Sequence, residues 1–190
     1  AQVVDLADEI AYHNHDLDDG LRSKLFSVKD LRRLHLWKKA EKFLYDQYGT
    51  DFPARYLQHR GVSTMMHFMI ADVTAETLRR IESWNIKTPE DAIKKPKNVV
   101  GFSVSFEKHV VRLRRFMWSS MYCAPRVLRY MHRGQRVLER LFWKLYKNPR
   151  LLPAKIRARI SVRYPAAVVV KDFVAGMTDN YATEFLARLR

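Results

Sequence analysis

Cysteine is all but missing from this chain. Cys123 stands alone among 190 residues. One thiol cannot make an internal disulfide, so the fold must rest on an apolar core, and such usage suits a reducing cytoplasm. Long apolar runs are missing too. The best is "AAVVV" at 166–170, far short of the roughly 18 residues a membrane span requires. The first residues carry neither the basic nor the apolar region of a signal peptide. The expectation is a cytoplasmic protein with no membrane partner. Acidic groups are scarce: 20 Asp and Glu against 35 Lys and Arg, a net charge of +15. With 47% hydrophobic residues and ordinary counts of Gly (6) and Pro (7), disorder by composition is excluded.

The scarce acids are unevenly placed. Residues 1–20 hold six of them and no Lys or Arg, whereas residues 105–163 hold sixteen Lys and Arg against Glu107 and Glu139. A field of that sign attracts polyanions such as nucleic acid, nucleotides and phosphates, or else coats a solvated helical surface. The chain opens on Ala1 within a patterned segment, which predicts a longer protein upstream.

The periodicity predicts an all-α fold. A first helix spans 3–19 and stops at Gly20. A second starts from Ser27, with Asp30 three residues on, and stops at Gly49. Pro53 opens a long helix to about Trp84, interrupted near Gly61. Pro89 starts a short capped helix. Ser105 caps a helix to Tyr122, and Pro125 starts another with a kink at Gly134. "NPRLLP" is a turn, and one or two helices close the chain. "NVVGFSVSF" is the lone candidate strand.

On a helical wheel, Val3, Leu6, Ile10, Leu17 and Leu21 share one side. Asp8, Tyr12, His15, Asp16 and Asp19 fall within about 100° on the other. Like charges at i, i+4 spacing destabilise a helix, so something must offset them. Solvent, a carboxylate–imidazole metal site and pairing with the basic half of the chain all remain open. The dipeptide His15–Asp16 matches a metal-binding dyad in two residues only.

"VVDLADEIAYHNHDLDDGL" resembles the fourth metal-ligand segment of the HD-domain deoxynucleoside triphosphate triphosphohydrolases, the dGTPase-like family. "VVGFSVSF", "LRRFMWSSMYCAPRV", "LFWKLYKNPRLLP" and "VVKDFVAGMTDNYA" resemble later segments in the same order. The resemblance covers the C-terminal half of that family. It implies an HD-type helical hydrolase with residues 1–20 as the last segment of the metal and substrate site and 21–190 as a C-terminal helical domain. It implies Asp8 as a metal ligand, Tyr12 against the sugar and phosphate, and Asp16 as acceptor for the deoxyribose 3′-hydroxyl. His15–Asp16 is then no dyad. Met177, Asp179 and Tyr181 are expected near the base pocket.

The implied reaction is dNTP plus water giving deoxynucleoside and triphosphate, with a divalent metal (Mn, Mg, Fe or Co) as cofactor. A homo-oligomer is the implied assembly. The family's other metal ligands and its catalytic groups are absent from these residues, so no catalytic residue is expected here and the chain alone is expected to be inactive. Cys123 and Ala124 depart from the family, which often has a basic residue or His there. The alternative reading is a non-catalytic basic module that binds single-stranded nucleic acid through residues 105–163, where Arg alternates with Trp, Tyr and Phe.

Overall fold

The computed structural model describes residues 1–49 and 52–189. Its elements are α1 (Gln2–Arg22), α2 (Val28–Leu31), α3 (His35–Tyr48), α4 (Ala54–Ser83), α5 (Pro89–Ile93), α6 (Val104–Met117), a π-helical turn (Trp118–Tyr122), α7 (Pro125–Lys147), a 3₁₀ turn (Pro149–Leu151), α8 (Ala154–Arg157), α9 (Ala166–Ala175) and α10 (Asp179–Arg188). Among the described residues there is no strand, and no helix is long and apolar enough to cross a membrane. The fold is all-α.

The chain divides into two compact units, Ala1–Ala124 and Pro125–Arg190. In the first, α1 and α3 pack on α4, and α6 packs on α1 and α3. The core gathers Leu17, Leu31, Trp37, Met65, Met69, Leu113 and Met117, all fully buried. Each such side chain contributes about 1.5–3 kcal/mol of transfer free energy. In the second unit α7 packs on α9 and α10 around Leu141, Leu145, Leu152, Val170, Val174 and Ala182. The segment read as 1–20 is an integral part of the first unit's packing, through Ile10, Leu17 and Leu21.

Several boundaries differ from the sequence expectation, each for a local reason. The segment from Ser27 to Gly49 is two helices, because Leu34 takes an extended conformation ahead of α3. Ser27 does form the expected box with Asp30. α4 runs unbroken past Gly61. A Cβ there would lie 2.5 Å from the buried Trp37 ring, so this glycine serves close packing and does not break the helix. Gly20 has the same role against Phe26, where a Cβ would sit 2.3 Å from the ring, and α1 continues to Arg22. α7 continues through Gly134 without a break.

The cap of α6 is Ser103, not Ser105: its hydroxyl accepts from Phe106 N at 3.3 Å, and Asp72 holds it in turn at 2.8 Å. Residues 98–103 of the candidate strand are a loop, because side chains take its backbone groups, and Val104 to Phe106 are the first turn of α6. Gln2 Oε1 accepts from Val99 N and Val100 N, while Arg80 donates to the carbonyls of Asn98 and Phe102.

Arg80 and Arg79 also grip Glu76, at 2.8 and 2.7 Å. The Arg79 guanidinium, aided by Arg80 and opposed by burial, lowers the Glu76 carboxyl from 4.5 to about 2. A depressed carboxyl stabilises the fold above its unfolded value and ceases to do so as pH falls through the folded one. The stabilisation from Glu76 should therefore be complete above pH 4.5 and vanish on approach to pH 2. Solvent at Arg79 limits it to about 1–2 kcal/mol. Urea unfolding of Glu76→Gln should show a deficit against wild type at pH 6 that closes at pH 2. A deficit independent of pH would assign the loss to packing instead.

Candidate functional site

α1 presents two faces, as the wheel required. Ile10, Leu17 and Leu21 are buried, while Asp8, Tyr12, His15 and Asp19 are exposed and Asp16 is half-buried. Val3 departs from the expected seam. It is 64% exposed, because the apolar packing of α1 begins one turn later, at Leu6. Two polar residues, His13 and Asn14, join the buried face. Asn14 donates to the Ile10 carbonyl at 2.7 Å, and His13 Nε2 lies 3.2 Å from a Glu9 oxygen.

The acids of this helix divide into held and unheld. Glu9 accepts from Arg114 Nε at 2.7 Å and from a second nitrogen of the same guanidinium, which also reaches Glu107 at 2.9 Å. This ion-pair cluster ties α1 to α6, so part of the pairing reading is realised, through Glu9 and not through the strip. Asp18 pairs with Arg22 one turn on. Asp8 has no hydrogen bond or ion pair among the described residues. It is an anionic oxygen donor open to solvent.

Asp16 is held by a residue that sequence reasoning did not single out. The hydroxyl of Tyr122 donates to Asp16 Oδ2, and the Tyr122 ring stacks on Tyr12 with centroids 6.3 Å apart and planes 16° off parallel. Burial, then the Asp16 carboxylate, pushes the Tyr122 phenol well above its ordinary range, so it stays a proton donor. Tyr122 reaches this place from a π turn, closed by Cys123 N on the Trp118 carbonyl at 2.9 Å. The wider turn shifts the angular register of every residue after Met117, a device often found at functional sites. Asp8, Tyr12 and Asp16 thus lie one turn apart on one face, two of them braced by Tyr122.

A divalent cation needs several convergent ligands. Among the described residues no three His, Cys, Asp or Glu side chains converge to hold one. Asp8 is a donor of the right kind for a hard cation, but these residues do not complete a site by themselves.

The other candidates lie in the second unit. Thr178 caps α10 by accepting from Tyr181 N at 3.3 Å. Met177 packs against the second core. Asp179 borders a cavity with Tyr130 and Arg133, and Tyr181, 41% exposed, packs on Phe185. Met177 and Tyr181 are not among the residues that line this cavity.

Residues 100–188 match the phosphohydrolase-associated domain. The whole chain is 32% identical over 189 residues to a deoxyguanosinetriphosphate triphosphohydrolase-like protein of Nitrosomonas europaea, half of whose length it covers. It is 36% identical over 191 residues to the protein of that name from Parvibaculum lavamentivorans, covering 48% of it. A Geobacter sulfurreducens protein of the same name is 32% identical over 190 residues, with 49% covered. The chain spans about half the length of the curated relatives it matches, and over its whole length it is similar to the C-terminal half of these deoxyguanosinetriphosphate triphosphohydrolase-like proteins.

Proposed function

We propose that this chain contributes one metal ligand and the sugar-recognition side chains to a dNTP triphosphohydrolase, which converts dNTP and water to deoxynucleoside and triphosphate. The observation that carries the reading is the face of α1. There an unpaired Asp8, an exposed Tyr12 and a braced Asp16 follow one another at single-turn spacing. Asp8 would give one oxygen to a divalent cation of the Mn, Mg, Fe or Co class, the other ligands coming from outside these 190 residues. Such a cation supplies Lewis acidity and charge neutralisation at a phosphoryl group.

The work of the chain's own side chains is positional. Asp16 accepts the Tyr122 hydroxyl's hydrogen bond on Oδ2, which leaves Oδ1 to accept from a 3′-hydroxyl. Tyr12 offers its exposed ring as the wall against which the sugar lies.

Asp16→Asn keeps an acceptor oxygen and the side-chain shape but removes the charge. The difference between a charged and a neutral hydrogen bond is about 1–1.5 kcal/mol. kcat/KM for a dNTP should therefore drop roughly 5- to 10-fold in a protein of the relatives' full length. The drop should be absent for the 2′,3′-dideoxy substrate, which has nothing to donate. Equal losses on both substrates would remove Asp16 from sugar recognition.

A further inference from the structure

Two imidazoles meet where α3 packs on α6. His35 is the first residue of α3, and His109 lies in the second turn of α6. Their rings stack with centroids 4.3 Å apart and planes 17° off parallel. Phe106 stands edge-on to His109, with centroids 6.4 Å apart. His35 is exposed and His109 is half-buried. His109 Nδ1 is buried without a hydrogen-bond partner. Neither ring has a carboxylate beside it: the one imidazole–carboxylate pair among the described residues is His13 with Glu9.

The surroundings of the stack are of one sign. Lys39 faces His109 from α3, and Lys108 and Arg112 face it from α6 itself. The acids of the packed elements are engaged elsewhere. Glu41 of α3 accepts from Arg32, and Asp46 lies about 16 Å along the α3 axis from His35. Glu9 of α1 and Glu107 of α6 share Arg114. A proton on either ring therefore gains no counter-charge, and protonation of both sets two like charges face to face. Burial, then His35 and the three cations, holds the His109 imidazole below its ordinary range. A base that is harder to protonate folded than unfolded supports the fold fully above its unfolded value, near 6.5, and withdraws that support as pH falls from there towards the folded value.

We infer that the His35–His109 stack is a pH-sensitive latch, which holds α6 on α3 while the rings are neutral and releases it on mild acidification. Val110, Leu113 and Met117 still anchor α6 in the core, so the release is a local opening. Its position gives the latch reach. α6 carries Arg114 to Glu9, and the π turn that continues α6 carries Tyr122 to Asp16. Slackening α6 slackens both braces on α1. The latch concerns packing within the first unit, so it stands or falls separately from the proposed hydrolysis.

The test is hydrogen exchange of the full 190-residue chain, followed by mass spectrometry at pH 7.5 and 5.5 and corrected for the intrinsic exchange rate. Peptides from 104–117 should lose protection roughly 5- to 10-fold at the lower pH, the change that one displaced proton gives when the unfolded value is near 6.5. Peptides from α9, in the second unit, should hold. His109→Phe keeps a ring for the stack and removes the proton site, so its 104–117 protection should not change with pH. His35→Phe removes the second charge and should narrow the loss. His35 is exposed, so this variant keeps the test open where circular dichroism shows His109→Phe to be unfolded. A loss that persists undiminished in a folded variant overturns the latch. So does wild-type protection that is equal at both pH values, or a loss of the same size in the α9 peptides, which would make the response global.

Discussion

Asp8→Ala, in a protein of the relatives' full length, should reduce dNTP turnover to background, a loss of at least roughly 10³-fold. The size follows from the role. A carboxylate that ligates a divalent cation supports several kcal/mol of charge stabilisation at the reacting phosphoryl group, and each 1.36 kcal/mol is a decade in rate. The same substitution should leave folding almost untouched. Asp8 is exposed, and no described group pairs with it, so its loss belongs with surface changes of within about 0.5 kcal/mol. It even relieves a like-charge contact with Asp5 three residues earlier. Turnover, bound metal measured by elemental analysis and the urea midpoint should thus separate: the first two fall together and the third holds. Wild-type turnover would remove Asp8 from the metal site, and a large fall in the midpoint would make it a structural residue.

How far the sequence led depends on the range of the interaction. The faces of α1 follow from 3.6-residue periodicity, so the solvent-facing strip of Asp8, Tyr12, His15 and Asp19 was legible from spacing alone. The end of α3 at Gly49 and the box at Ser27 are likewise local. Errors came where a distant partner decides. Gly61 and Gly20 look like helix stops by composition, yet each is small because an aromatic ring, Trp37 or Phe26, occupies the space beside it. Ser103 outcompetes Ser105 as a cap because Asp72, 31 residues away, fixes it. "NVVGFSVSF" has strand residues but gives its backbone donors to Gln2, some 97 residues earlier.

The site divides in the same way. Tyr12 and Asp16 share a helix face and are read together, but the group that braces them is 106 residues from Asp16. Nothing in the periodicity of "WSSMY" predicts a π turn. Tyr122 lies within a segment that resembles the family, yet only the packing of the turn against α1 brings its hydroxyl to Asp16. Arg114 is likewise one of sixteen cations in a basic stretch, distinguished from the rest only by Glu9, 105 residues away in the chain.

Tyr122→Phe tests whether that bracing matters. The substitution keeps the ring, and therefore the stack on Tyr12, and deletes one half-buried donor to a carboxylate. Hydrogen bonds to charged groups contribute about 1.5–3 kcal/mol, so kcat/KM for a dNTP should fall roughly 10- to 100-fold as Asp16 loses its fixed orientation. If Tyr122 acts through Asp16, the losses are not additive. Tyr122→Phe in an Asp16→Asn background should cost much less than in wild type, a coupling of about 1 kcal/mol or more as contacting residues give in a double-mutant cycle. The dideoxy substrate should register little of either change. A merely structural tyrosine would instead lower the urea midpoint and impair both substrates equally. Additive losses, or an equal fall with the dideoxy substrate, would leave Tyr122 as a packing residue of the turn and return the positioning of Asp16 to the α1 backbone alone.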